Sequence, residues 1–333
     1  MPVSTAECFL VVGMAGIAIM VSTEGPLQVP KPLEELSAQE IRRKLVVADV
    51  MSRTLGHLTR HFTREGFCWM LPVVFSKSTD PLWPDPNASI EKRVEVEIYG
   101  ETVRTMQSMI MHKLVACSLA YPKLFLLSPN TRIEKKERSR TGRHTYEFTQ
   151  LDFEMRGASS RQVMRLVEGA LLGLASGLKK VGGMKALGAV KAPFETHDRR
   201  ELEKLYGASW EEELTARLKR PAWVTNLPRE FYDFEDMKTG VWDNYDLFVP
   251  GFGEILSGAR REWEYKKILG KIERDGVKKE NYELVLRLAE AGRLKPTAGG
   301  GIGIERLVCW LTGTEHIGAV QPFPKVPGYV NEL

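Results

Sequence analysis

The sequence predicts an α+β fold in which an antiparallel sheet is flanked by helices. Three observations predict it. Residues 145–155 alternate cleanly: Thr149, Leu151, Phe153 and Met155 fall on one face, and Phe148, Gln150, Asp152 and Glu154 on the other. Residues 41–65 place Val47, Met51, Leu55, Leu58 and Phe62 three and four apart, the spacing of an amphipathic helix. Strand-like segments are scattered along the chain and do not alternate with helices as βαβ units would.

Composition agrees with one large folded unit. The chain has 333 residues, 43% hydrophobic and 27% charged, the balance of a soluble globular protein. A net charge of +4 is too small over this length to argue for nucleic-acid binding alone. Cys8, Cys68, Cys117 and Cys309 form no CxxC pair, which disfavours a disulfide framework and a zinc site and points to the cytoplasm.

Taken in order, the apolar run 9–21 is shorter than the roughly 20 residues a membrane span needs, and no Lys or Arg precedes it. No membrane partner is expected. Residues 1–40 form an N-terminal extension, for which partial disorder and a start codon called too early (Met14 and Met20 lie inside the run) both stay open. The main domain is expected over 41–333. Gly66 ends the first helix, and 67–75 is an apolar strand interrupted by Pro72. Residues 79–88 form a proline-rich loop, 93–99 a strand and 108–120 a helix. Ser159 or Ser160 caps a helix running to about 180. A helical insertion is expected over about 156–222, with its peripheral part at 181–222. Strands follow at 222–227 and 244–249, helices at 259–275 and 279–292. The run Gly299–Gly303 leads into a helix over 304–311 that Gly313 stops.

No Walker loop, GxGxxG, GxSxG or HExxH is present. The chemistry instead gathers in acids and arginines. Gln150, Asp152 and Glu154 share a strand face with Phe148, which suits either a polar site or a solvent-facing edge. A hairpin near Ser139–Gly142 would set Arg132 and Glu134 opposite that strand, with Arg143 and His144 close by. Arginine forks suit phosphate oxygens, although a solvated basic loop has the same composition. Glu254 and Ser257 offer hard oxygens of the kind Mg²⁺ takes, or an ordinary turn with a salt bridge. Arg306 opens a helix behind small glycines, as a ligand contact or as the partner of an acid.

In this order, Arg132-x-Glu134, Arg143-His-x-x-Glu-Phe148, Asp152-x-Glu154 and Gly301-x-Gly-x-Glu-Arg306-Leu resemble motifs 2 and 3 of the class II aminoacyl-tRNA synthetases, aspartyl/asparaginyl branch. Helix 41–65 with Pro72 resembles motif 1, the dimer-forming element, so a homodimer is implied. About 40 residues precede it, too few for that branch's anticodon-binding barrel. The chain therefore looks like archaeal asparagine synthetase A-type proteins, as do Thr79–Pro86, Tyr146–Glu154, Pro228–Tyr232 and Gln321–Pro324.

The resemblance implies an AMP-forming ligase. It would convert aspartate, ATP and ammonia into asparagine through a β-aspartyl-adenylate, with pyrophosphate released and Mg²⁺ as cofactor. Arg132 would hold the α-phosphate, and Arg306 the γ-phosphate while covering the adenine. Phe148 would stack under the adenine with Glu134 near its amino group, and Arg143 and His144 would touch the outer phosphates. Glu254 and Ser257 would hold Mg²⁺. Ser108, Lys113, Gln150, Asp152 and Arg261 would bind aspartate, with Asp152 on its ammonium and Lys113 and Arg261 on carboxylates. Ile110 and Arg260 depart from the synthetase pattern and would favour a reversed aspartate. Free ammonia is the expected nitrogen source, since Cys8 is not terminal, and tRNA is not expected as a partner but is not excluded. Aminoacyl transfer to tRNA or another acceptor, and a catalytically silent paralogue, are the alternatives.

Overall fold

In the computed structural model, residues 8–12, 18–22, 29–82, 90–179 and 185–332 are described. Residues 1–7, 13–17 and 23–28 of the extension 1–40, for which disorder stayed open, lie outside them, as does most of the proline-rich loop. Within the apolar run, Cys8–Val12 pairs antiparallel with Ala18–Ser22.

The helix predicted over 41–65 is α1 (Ala38–Arg64). It starts three residues earlier because Ser37 and Glu40 form a reciprocal capping box. Its buried residues, Val50, Thr54, Leu58 and Phe62, recur every fourth position. They pack on α3 (Ser160–Leu178) and α8 (Ile304–Thr312). His57 and His61 fasten α1 to α3 by ring-nitrogen contacts with the Ala170 and Leu166 carbonyls, at 3.0 and 3.2 Å. Ser159, not Ser160, caps α3.

The central sheet has eight strands: β1 (Cys68–Trp69), β2 (Lys123–Thr131), β3 (Glu147–Arg156), β4 (Glu195–Asp198), β5 (Ala222–Thr225), β6 (Asn244–Val249), β7 (Gly253–Arg260) and β8 (Thr297–Gly303). Their order is β4-β5-β6-β7-β8-β3-β2-β1. Pairing is antiparallel except at the two edges, where β4–β5 and β1–β2 run parallel. Leu151 and Phe153 of β3 join the core under α1, α3 and α8, while Gln150 and Asp152 face a cavity on the opposite side. The solvent-edge alternative for this strand is therefore excluded: β3 lies between β8 and β2, near the middle of the sheet. α2 (Ile110–Leu119) packs on β3, and α6 (Tyr265–Arg274) and α7 (Glu283–Glu290) pack together beside it.

Several expectations need correcting. The insertion at 156–222 holds α4 (Arg199–Tyr206) and α5 (Trp210–Arg217), but it also supplies β4, so it is not wholly helical. Residues 259–275 cannot all be helix because β7 runs to Arg260. The strand expected at 93–99 is a hairpin, Glu95–Ile98 with Glu101–Thr105, reversing through Tyr99 and Gly100, both at positive φ. Of 67–75 only Cys68–Trp69 joins the central sheet, since Pro72 lacks the N–H to continue a ladder. The glycine run, given no element in the sequence reading, is the second part of β8.

Candidate active site

All thirteen side chains singled out for binding or catalysis line one cavity of about 210 Å³. Its floor is built from β3, β7 and β8. β8 can be a floor strand only because four of its seven residues are glycine. A Cβ on Gly299 would lie 2.1 Å from the Phe153 carbonyl oxygen, and one on Gly301 would meet Asp152 Oδ1 at 3.0 Å and Gln150 Nε2 at 3.1 Å. The glycines thus make room for neighbouring strands and their polar side chains.

One end of the cavity is cationic. The Arg132 guanidinium lies 5.3 Å from the Phe148 ring centroid, and its Nε donates to the Gln107 carbonyl at 3.1 Å. Arg143 lies over Phe252, and Gly253 makes room for it: at φ +101° a Cβ there would sit 2.8 Å from the guanidinium. Arg306 donates to Glu254 Oε2 at 3.0 Å. It is thus both the acid-paired arginine and a cavity residue. Glu305 next to it accepts the Thr149 N–H at 3.0 Å and pins the start of α8 to β3. Glu134 receives Arg138 Nε at 3.2 Å, and its strand pairs with Ile90–Lys92, not with β3 as the hairpin expectation had it. The backbone of Arg132 does bond across, its N–H donating to the Tyr146 carbonyl.

Charge in this end is set by its arginines. Burial, then Arg138, Arg306, Arg143 and Arg132, push His144 down to about 2, so its imidazole is neutral. Burial would raise Glu254, but Arg306, Arg229 and Arg143 outweigh it and hold it below the usual carboxylate range. Glu254 and Ser257 both face the cavity although they stand three residues apart on one strand. The cause is a bulge: Phe248 pairs with Glu254 and Leu247 with Leu256, which leaves Ile255 as the extra residue.

The other end is a buried lattice of ion pairs. Lys113 Nζ donates to Asp152 Oδ1 at 2.6 Å and to the Gly300 carbonyl at 2.8 Å, while Asp152 Oδ2 is buried with no partner among the described residues. Arg261 donates to Asp233, to Glu154 Oε1 at 3.3 Å and to the Gly299 carbonyl at 3.2 Å. Burial would lower Arg261, but Glu154 and Asp233 hold it far above ordinary pH. Asn130 donates to Gln150 Oε1 at 3.0 Å, leaving the Gln150 amide nitrogen toward Gly301. Ser108 Oγ accepts the Ile110 N–H at 3.3 Å, and both residues line the cavity.

Arg260 is a correction. It is absent from the cavity lining, its guanidinium lies 4.5 Å from the Phe234 ring centroid and 4.9 Å from that of Trp263, and it sits 3.9 Å from Asp243. Alternation along the strand end sends Arg261 in and Arg260 out. Sequence reasoning also missed Asp80, Arg229, Glu230, Tyr232 and Asp233, all of which line the cavity. They lie in segments whose charges look solvated in sequence, and only burial distinguishes them. Asp246, opposite Ser257 on β6, was missed as well: Arg229 donates to it, yet burial pushes its carboxyl up to about 7.

The sequence model of the tRNA synthetases class II (D, K and N) matches residues 47–327. The chain belongs to this family. The asparagine–tRNA ligase of Thermoplasma acidophilum is 26% identical over 258 residues, covering 69% of this chain and 59% of that protein. The asparagine–tRNA ligase of Clostridium botulinum (strain Eklund 17B) is 31% identical over 288 residues, 75% of this chain and 60% of its own length. The chain thus spans about three fifths of these relatives. Among solved structures, the asparaginyl-tRNA synthetase of Pyrococcus horikoshii complexed with asparaginyl-adenylate superposes with a TM-score of 0.78 at 22% identity, covering 95% of this chain and 78% of that one. The aspartyl-tRNA synthetase of Entamoeba histolytica gives 0.67 at 21% identity, covering 89% and 64%. These likenesses establish the fold, an antiparallel class II core. Among the described residues no helix is long and apolar enough to cross a membrane.

Proposed function

We propose that this chain is an AMP-forming ligase that activates a carboxylate of aspartate with ATP, giving aspartyl-adenylate and pyrophosphate. The observation that supports it is the joining, in one cavity, of an arginine-rich end beside an aromatic platform to an end with spare donors for a carboxylate. Lys113 uses two of its three N–H groups and Arg261 three of its five, which leaves one and two for a substrate. Asp152 Oδ2 is left to accept from an ammonium.

In this reading the substrate carboxylate attacks the α-phosphorus. Arg132, held by Gln107, meets the charge that develops on the phosphoryl oxygens without having to reorganise. Arg143 and Arg306 take the outer phosphates, His144 contributes a neutral hydrogen bond, and Phe148 carries the adenine with Glu134 at its edge. Glu254 and Ser257 fit Mg²⁺: both are hard oxygen donors brought to one face by the bulge. No group of three or more His, Cys, Asp or Glu able to hold a metal occurs among the described residues, so phosphate oxygens would complete the shell. Bound there, Mg²⁺ would neutralise phosphate charge. The experiment is pyrophosphate exchange into ATP with aspartate, asparagine or neither. Exchange dependent on aspartate supports the reading, and none with either amino acid contradicts it.

The acceptor divides two readings. Transfer to tRNA is supported by the relatives, which are asparagine–tRNA ligases. This favours tRNA as a partner, which the sequence reading did not expect but did not exclude. Capture by ammonia, giving asparagine, is supported by a carboxylate at the amino-acid end, Glu230, that has no ion-pair partner among the described residues. Two copies would pair through α1 and the segment after β1, where Leu45 and Leu71 are 64% and 88% exposed; a monomer in sedimentation at micromolar concentration would contradict that pairing.

A further inference from the structure

The carboxylates at the amino-acid end are not equivalent. Asp233 is paired with Arg261. Asp80 accepts the Leu82 N–H at 2.9 Å and the Tyr232 hydroxyl at 3.2 Å, and lies 3.8 Å from an Arg132 nitrogen. Arg229, the one cation adjacent in sequence, donates to Asp246. Glu230 is left over. It is 8% exposed and lines the cavity, and apart from its own backbone N–H its carboxyl has no hydrogen-bond partner among the described residues.

A buried carboxyl kept without a counter-ion, beside two other acids, is costly in the empty protein. It is stabilised once a small cation or hydrogen-bond donor arrives. Asp152 Oδ2 already serves the ammonium of the amino acid in the proposed reading, so the carboxyl of Glu230 is available for a second nitrogen.

We propose that Glu230, with Asp80 beside it, forms the subsite for the amine nucleophile, taking ammonium from solvent and accepting its proton before attack on the adenylate. This rests on the ammonia reading of the function. Ammonium gives one proton to the Glu230 carboxylate, and the nitrogen lone pair forms a C–N bond to the acyl carbon. The acyl C–O bond to AMP then breaks, its electron pair leaving on the phosphate oxygen. The second nitrogen proton goes to solvent, and asparagine and AMP are released. Burial, Asp80 and Asp233 push the Glu230 carboxyl up against the opposing pull of Arg229, to about 8, which suits a proton acceptor working near neutral pH.

The test is Glu230→Gln, which keeps shape and removes the base. Three quantities are measured: aspartate-dependent pyrophosphate exchange, the KM for ammonium in asparagine formation, and the pH profile of that formation. Exchange within twofold of native reports that the variant is folded and still forms adenylate. The expected result is that exchange, a tenfold or greater rise in ammonium KM, and loss of the rise in rate as pH climbs toward 8. Equal loss of exchange and asparagine formation would overturn the subsite by assigning Glu230 to the amino acid. Unchanged ammonium kinetics would overturn it too, with the ammonia reading intact. A native protein that makes no asparagine from aspartate, ATP and ammonium would overturn the ammonia reading itself, and the subsite with it.

Discussion

Glu254 and Ser257 face the same cavity because Ile255 bulges out of the ladder between β6 and β7. On a regular strand residues three apart point to opposite faces. The extra residue therefore decides whether a carboxylate and a hydroxyl can share one ion. Glu254→Gln is expected to reduce pyrophosphate exchange at least about 100-fold, the scale of losing one preorganised electrostatic group. Ser257→Ala should raise the Mg²⁺ concentration needed for half-maximal exchange. A Mg²⁺ titration of each variant checks both.

Lys113 and Asp152 are almost wholly buried and 2.6 Å apart. Removing one partner strands the other charge. Lys113→Met is expected to cost about 3–5 kcal/mol of stability and to abolish aspartate-dependent exchange. Denaturant unfolding measures the first effect. An unfolding midpoint equal to that of the native protein would show that the pair contributes little.

Gly301 lies under Asp152 and Gln150. Gly301→Ala inserts a methyl 3.0 Å and 3.1 Å from their polar atoms. The expected outcome is an aspartate KM raised about tenfold or more, with the ATP KM nearly unchanged. Gly299→Ala is the contrast: a contact at 2.1 Å with the Phe153 backbone leaves no room, and soluble protein should not be recovered.

His144 is pushed down to about 2 from an ordinary value near 6.5, first by burial and then by four arginines. The folded protein therefore binds fewer protons here than the unfolded chain. Stability from this group is complete above pH 6.5 and falls as pH drops through 6 and 5. His144→Gln should flatten that decline, measured as melting temperature between pH 7 and 5. The native imidazole should show no NMR titration over the same range.

Much of this architecture was legible in sequence where a period was strong and local. α1 and the two faces of β3 follow from apolar spacing alone. Every residue assigned to binding or catalysis, from Ser108 to Arg306, reaches the same cavity. What sequence could not show was long-range context. Gly299–Gly303 carries no strand periodicity, and only the crowding of Gln150, Asp152 and Glu154 over β8 explains a strand so rich in glycine. Arg260 and Arg261 are chemically alike, and the pleat alone separates them. Glu230 looks solvated in a segment rich in charge, and its burial depends on neighbours more than a hundred residues away, such as Asp80.

The most direct measurement is a product assay with aspartate, ATP, Mg²⁺ and ammonium, with and without total tRNA. Activation of aspartate predicts AMP and pyrophosphate formed only when aspartate is present. Asparagine without tRNA identifies ammonia as the acceptor, and label on tRNA identifies tRNA. ADP in place of AMP, or no nucleotide turnover that depends on aspartate under either condition, would contradict the account.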